Sequence, residues 1–245
     1  MSENDRNDFE IIVEPIESEN PVLFNGFPGI GLVGNIACQH VIDELEMVQR
    51  GCVDSKYFPP IAVLFDGVVS MPVRIYESIE DNLVVVISDI PIHPTISYGI
   101  SRELVNWAET SNVKEIVSIA GIATMSGRHR VFGAATTRDL LDRLKDMVEI
   151  FQVGTISGIA GSIMSACHLQ KIPAISLLGE TRGQNPEPRA AISVIEALNS
   201  IYDLNISTEN LLNQAKEIES ELQKLADQVK DTEAAPSRKE FPMYG

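Results

Sequence analysis

Short apolar runs rich in β-branched residues alternate along this chain with longer stretches in which apolar positions recur at helical spacing. That alternation predicts an α/β layer fold, because strands apolar on both sides need helices over both faces of their sheet. Pro21-Val22-Leu23-Phe24 reads as a strand, followed by a glycine-rich turn and a helix from about Leu32 to Met47. Ile61-Ala62-Val63-Leu64-Phe65 reads as a second strand, closed by Asp66-Gly67. Val73-Arg74-Ile75-Tyr76 and residues 83–87 flank a polar turn at Asp81-Asn82, which predicts an antiparallel hairpin and hence a mixed sheet. Beyond it come a helix near 97–110, a strand at 115–119, a loop rich in Gly and Arg, and a helix near 137–145. Thr155-Ile156-Ser157-Gly158 reads as a short strand before a small-residue helix at 161–169. The last strand is 173–178, and Pro188 is suited to open a helix that runs to Tyr202. The expectation is a three-layer sandwich with a mixed, mostly parallel sheet.

The end of the chain follows another rule. From a helix start at Ser207 or Thr208, Leu211, Ala215, Ile218, Leu222, Leu225 and Val229 follow heptad spacing over almost three repeats. Such a seam packs either on its own domain or against another subunit. After Lys230 the periodicity stops, and residues 231–242, with Pro236 and Ser237, read as a linker. The expected organisation is a core domain over 1–206, with 1–8 disordered, an amphipathic helix over 207–230, and a flexible linker and docking tail over 231–245.

Charge then narrows the partners. The 245 residues carry a formal net charge of -16, which opposes binding to phosphate backbones, so nucleic acid is not expected. Much of the acidity lies in the first twenty residues, where seven acids stand against Arg6 alone. No segment reaches the roughly 20 apolar residues of a membrane helix, and the opening stretch lacks the pattern of a leader, so a cytoplasmic protein without a membrane partner is expected. Cys38, Cys52 and Cys167 lie far apart without the close pairs of zinc or redox motifs, and read as reduced, mostly buried thiols. Cys38 with His40, and Cys167-His168, lack further ligands, so no metal is expected.

Three constellations carry candidate chemistry. Met243-Tyr244-Gly245 has the form of a docking peptide: an adaptable apolar plug, a ring with a hydroxyl handle, and a terminal carboxylate. Gly29, Gly31 and Gly34 satisfy G-x-G-x-x-G between strand and helix, the context of a dinucleotide site. The expected acid is misplaced, however: Asp66 lies too far on, Asp54 precedes its strand, and Pro28 removes a backbone donor. A structural turn using Gly26, Gly29, Gly31 and Gly34, with no cofactor, is the favoured reading. Asp89 and His93 at a strand end, with Arg128-His129-Arg130, are what a nucleoside phosphorylase- or hydrolase-like enzyme could use in a cleft. The plainer alternative is a satisfied histidine near a turn and a solvated basic loop.

The run Gly26-Phe27-Pro28-Gly29-Ile30-Gly31-Leu32-Val33-Gly34 resembles the N-terminal signature of the proteasome assembly chaperone family, archaeal type. Ser88-Asp89-Ile90-Pro91, Ala120-Gly121-Ile122-Ala123 and Ile156-Ser157-Gly158-Ile159-Ala160-Gly161 extend the resemblance over roughly Phe9 to Tyr202. It implies a fold similar to nucleoside phosphorylases, homo-oligomeric assembly, and ATP-independent chaperone or activator action on the core proteasome rather than enzymatic turnover. In proteasome activators a C-terminal hydrophobic-tyrosine-any (HbYX) tail inserts between α-ring subunits. Met243, Tyr244 and Gly245 match that motif position by position.

Overall fold

Leu83–Ser88, strand β7, is buried at all six positions, and its side chains divide between two cores. Leu83, Val85 and Ile87 enter one apolar cluster, while Val84 and Val86 enter the other. The neighbouring strands divide likewise, with Phe24 and Val117 on the first side and Leu23 and Ile116 on the second. A strand alternates its side chains between faces, so two clusters mean a sheet covered twice. The computed structural model describes residues 8–217 except 66 and 184.

The eleven described strands are β1 (Glu10–Val13), β2 (Val22–Gly26), β3 (Val48–Asp54), β4 (Val63–Phe65), β5 (Val68–Ser70), β6 (Val73–Ser78), β7, β8 (Glu115–Ala123), β9 (Val131–Ala135), β10 (Glu149–Ile150) and β11 (Ala174–Thr181). The helices are α1 (Val33–Glu44), α2 (Pro94–Thr110), α3 (Arg138–Leu144), α4 (Gly158–Gln170) and α5 (Pro188–Tyr202), with a short 3-10 turn at Ile30–Leu32 before α1 and a further helical stretch over 209–217. Nine strands form the main sheet in the order β1-β3-β6-β7-β2-β8-β11-β9-β10. Helices α1, α3 and α5 supply the cluster on one face, α2 and α4 that on the other.

The α/β fold with a mixed sheet matches the expectation, and the hairpin β6–β7 is antiparallel in register from Val73↔Ser88 to Ser78↔Leu83. The parallel share is smaller than expected. β7-β2-β8-β11 and the β9–β10 pair are parallel, whereas β1-β3-β6-β7 and the β11–β9 pair are antiparallel. Half of the eight pairings are therefore parallel, concentrated at the centre where both faces are covered.

Two sequence-predicted strands change place. Ile61 to Phe65 shortens to β4, which pairs only with β5 in a separate two-stranded sheet. Thr155-Ile156-Ser157-Gly158 is not a strand: the chain runs irregularly there into α4. Conversely β1, β3, β9 and β10 are edge or near-edge strands that the apolar runs did not announce.

Candidate functional site

An open α/β sheet presents its ligand crevice beyond the carboxyl ends of the parallel strands. In this chain the glycine-rich turn occupies that place. The backbone leaves β2 at Gly26, makes the 3-10 turn with Gly31 at φ 63 and Leu32 at φ 51, and enters α1. A Cβ on Gly26 would lie 2.1 Å from the Gly34 carbonyl oxygen, and one on Gly34 would lie 2.2 Å from that of Ile119. A Cβ on Gly31 would meet Thr181 Oγ1 at 2.4 Å, and one on Gly121 would meet the Ile30 oxygen at 2.1 Å. Gly29 differs, with φ -159 and nothing nearer than the Phe27 oxygen at 3.9 Å. The side of Gly31 on which a Cβ would stand is thus filled by Thr181 of β11. Asp54, at the end of β3, is separated from β2 by β6 and β7, so it does not reach the turn as a ribose-binding acid would.

Beside the turn lies a cavity of about 190 Å³, lined by Asn25, Phe27, Gly29, Ile119, Thr155 and Ile159 among others. Small-molecule pockets usually run to roughly 300–1,000 Å³. Of its polar lining residues Asn25 is already engaged: its Nδ2 donates to the Val117 carbonyl at 3.1 Å and its Oδ1 accepts from Ser118 Oγ at 3.1 Å. The thiols offer little reactivity. Burial pushes Cys38 far up and Cys167 up to about 12, and Cys52 is raised by partial burial and by Asp54.

The residues proposed for an enzymatic cleft have separate structural occupations. Asp89 pairs with the fully buried guanidinium of Arg74, whose Nη2 donates to Asp89 Oδ1 at 3.3 Å and whose Nε donates to the Tyr76 hydroxyl at 2.9 Å. His93 caps α2, its Nδ1 accepting from the Thr95 backbone N–H at 3.3 Å. In the basic loop, Arg130 turns inward. It donates to the buried Glu180 at 3.0 Å through Nη2 and to Glu149 at 3.0 Å through Nη1. Glu180 also accepts from Ser126 Oγ at 2.6 Å and from Thr124, and the Arg130 guanidinium with these donors holds its carboxyl far below the usual carboxylate range. No hydrogen bond or ion pair joins Asp89 or His93 to Arg128 among the described residues. Among those residues no group of three or more His, Cys, Asp or Glu could hold a metal, and no helix is long and apolar enough to cross a membrane.

Sequence reasoning missed these buried ionic anchors: Arg74–Asp89, Arg130–Glu180, and Glu115 with Arg143 and Tyr202. The signal was present, because Arg74, Glu115 and Glu180 are charges carried by largely apolar strands, and a buried charge demands a partner.

The chain's C-terminal part has a fixed root. Asn199 of α5 clasps Ile206, donating to its carbonyl at 2.9 Å and accepting from its N–H at 3.0 Å. His40 Nε2 lies 2.6 Å from the Ser207 carbonyl oxygen, and Asn210 Nδ2 donates to Glu44 at 2.8 Å. Residues 209–217 are helical, with Leu211 and Ala215 buried and Leu211 in the α1/α5 cluster. The first two positions of the seam therefore face their own domain. Ile218, Leu222, Leu225, Val229 and the Met243-Tyr244-Gly245 motif lie outside the described residues, as do residues 1–7.

Comparison with known proteins places this architecture. The profile of the PAC2 family matches residues 23–226. An uncharacterized protein of Methanocaldococcus jannaschii is 37% identical over 230 residues, 94% of each chain. Among solved structures, Pyrococcus furiosus PbaA, an archaeal homolog of proteasome-assembly chaperone, is similar with TM-score 0.84 and 32% identity over 92% of this chain and 94% of that one. Pyrococcus furiosus PbaB, an archaeal proteasome activator, is similar with TM-score 0.79 and 29% identity over 90% and 99%.

Proposed function

The chain belongs to the PAC2 family, and from that premise we propose that it is a cytoplasmic, ATP-independent assembly chaperone or activator of the core proteasome. The observation that carries the reading is the likeness to PbaA and PbaB across nearly the whole of both chains. The packed glycine turn and the small cavity beside it support a binding role over a catalytic one.

Docking runs through Met243-Tyr244-Gly245, with Gly245 taken as the chain's terminus. Methionine fills an apolar pocket between α subunits, the tyrosine ring is buried with its hydroxyl bonded, and the carboxylate meets a cationic or backbone donor. The α/β core forms a homo-oligomer that presents several tails at once, and linking such weak contacts raises avidity by about 10²–10⁴ when the tethers span the pockets. If the tails prefer the open α-ring, occupancy shifts the gate toward opening.

The test is hydrolysis of a fluorogenic peptide by the cognate core proteasome. Intact protein is expected to stimulate it, and neither Tyr244→Ala nor a chain lacking 243–245 is. Equal stimulation by the shortened chain would refute docking through the tail.

A further inference from the structure

Among the described residues, the segment between Pro60 and Met71 is used unlike any other strand pair. β4 and β5 stand outside the main sheet and pair only with each other, from Val63↔Ser70 to Phe65↔Val68, across a two-residue connection in which Gly67 has φ 81. An isolated two-stranded ribbon is marginal in water without something packed against it. Yet Ile61 (48%), Leu64 (63%), Phe65 (41%), Val68 (69%) and Val69 (67%) are all exposed. Edge strands that must stay single are commonly protected by lysines, prolines or inward charges. β4 and β5 contain none: they read Val-Leu-Phe and Val-Val-Ser.

The root of this arm is fixed. Phe65 lies under the Arg74 guanidinium at 4.3 Å, and Arg74 is held from behind by Asp89 and Tyr76. An apolar ribbon on a rigid root loses little conformational entropy when it docks.

The geometry points to β4–β5 as an arm through which a second copy of this chain docks. The inference rests on the oligomeric reading above and assigns it a surface. Charge selects the occupant. Two molecules that each carry a net charge of -16 repel across most of their surfaces and can meet closely only where charge is absent. From Pro59 to Pro72 the sole charged residue in the sequence is Asp66. A basic partner would instead be drawn to the acidic remainder. The register sets Leu64 beside Val69 on one face of the ribbon and Phe65 beside Val68 on the other, so a second copy covers all four by clasping the arm on both faces.

The experiment is sedimentation of the full chain, as wild type, as Leu64→Asp/Val69→Asp, and as Val153→Asp, which alters a 91% exposed apolar residue outside the arm. The expected result is an oligomer for wild type and Val153→Asp, and a single-chain mass with unchanged circular dichroism for the double variant. Amide exchange of wild-type residues 63–70 at high and low protein concentration reads the same contact without substitution, and protection is expected to fall at least tenfold on dilution. A double variant that folds and keeps the wild-type mass, or arm exchange independent of concentration, overturns the arm while leaving the oligomer. A single-chain wild type overturns both, whereas loss of tail-dependent proteasome stimulation leaves the arm standing.

Discussion

His40 Nε2 sits 2.6 Å from the carbonyl oxygen of Ser207, a bond that ties the middle of α1 to the stretch of chain leading into residues 209–217. The contact is nearly dry, with His40 8% exposed, and it is reinforced by Asn210 on Glu44 one turn further along α1.

Replacing His40 with alanine removes one bond worth roughly 1 kcal/mol. Amide exchange across 207–217 is expected to rise about fivefold while that of β7 and β8 stays as it was. Uniform exchange in both proteins would show that Ser207 is held by something else.

The glycines of the turn are not equivalent. Gly34→Ala drives a methyl group against the Ile119 carbonyl at 2.2 Å, so it should lower stability by about 3 kcal/mol or prevent folding, as overpacking of backbone against backbone does. Gly29→Ala meets only an oxygen at 3.9 Å in an extended conformation, and its unfolding midpoint should stay close to wild type. A site that gripped phosphate would instead make Gly29 the sensitive position.

Asp89→Asn leaves the buried Arg74 charge without its counter-charge. The expected cost is on the order of 3 kcal/mol, measured by denaturant unfolding. An enzyme using Asp89 as an acid or base would show the opposite profile, with stability retained and turnover lost.

Glu180 sets an acid limit. Its folded-state pKa lies below the ordinary value of 4.5, held there chiefly by Arg130, then by Ser126 and Thr124. A depressed carboxylate stabilises the fold above its unfolded pKa, and that contribution drains away as pH falls below about 4.5 toward the folded value. The urea midpoint of wild type should therefore drop on acidification from pH 5 to pH 3, and that of Glu180→Gln should be lower at pH 7 and flatter across the same range. Parallel curves would remove Glu180 from the acid response, which Glu77, also depressed by its backbone donors and Arg50, would share.

Most of the interior was legible in the sequence because each central element carried two agreeing signals. The run at 83–87 was apolar without interruption, and Pro188 marked the start of a strongly amphipathic α5. Edge elements failed that standard. β9 is Val-Phe-Gly-Ala-Ala in a stretch dominated by glycine and arginine, and only its pairing with β11 and β10 makes it a strand. The 155–158 stretch has strand-forming residues but no strand to pair with, so α4 begins there instead. For the arm, Asp66-Gly67 announced a turn, but alternation alone could not reveal that Ile61 to Phe65 would stay outside the sheet. Met243-Tyr244-Gly245, which we propose for docking, lies outside the described residues.

β2 lies between β7 and β8, so Val22 takes as partners Leu83 on one side and Glu115 on the other. A chain emerging from the ribosome therefore holds its earliest central strand without a neighbour until Leu83 has followed, and with one edge open until Glu115 has. Closure of such distant neighbours is slow and exposes apolar edges meanwhile. A protein that we propose assists the assembly of others is itself a late-closing fold, with an interval during synthesis in which β2 needs shielding of its own.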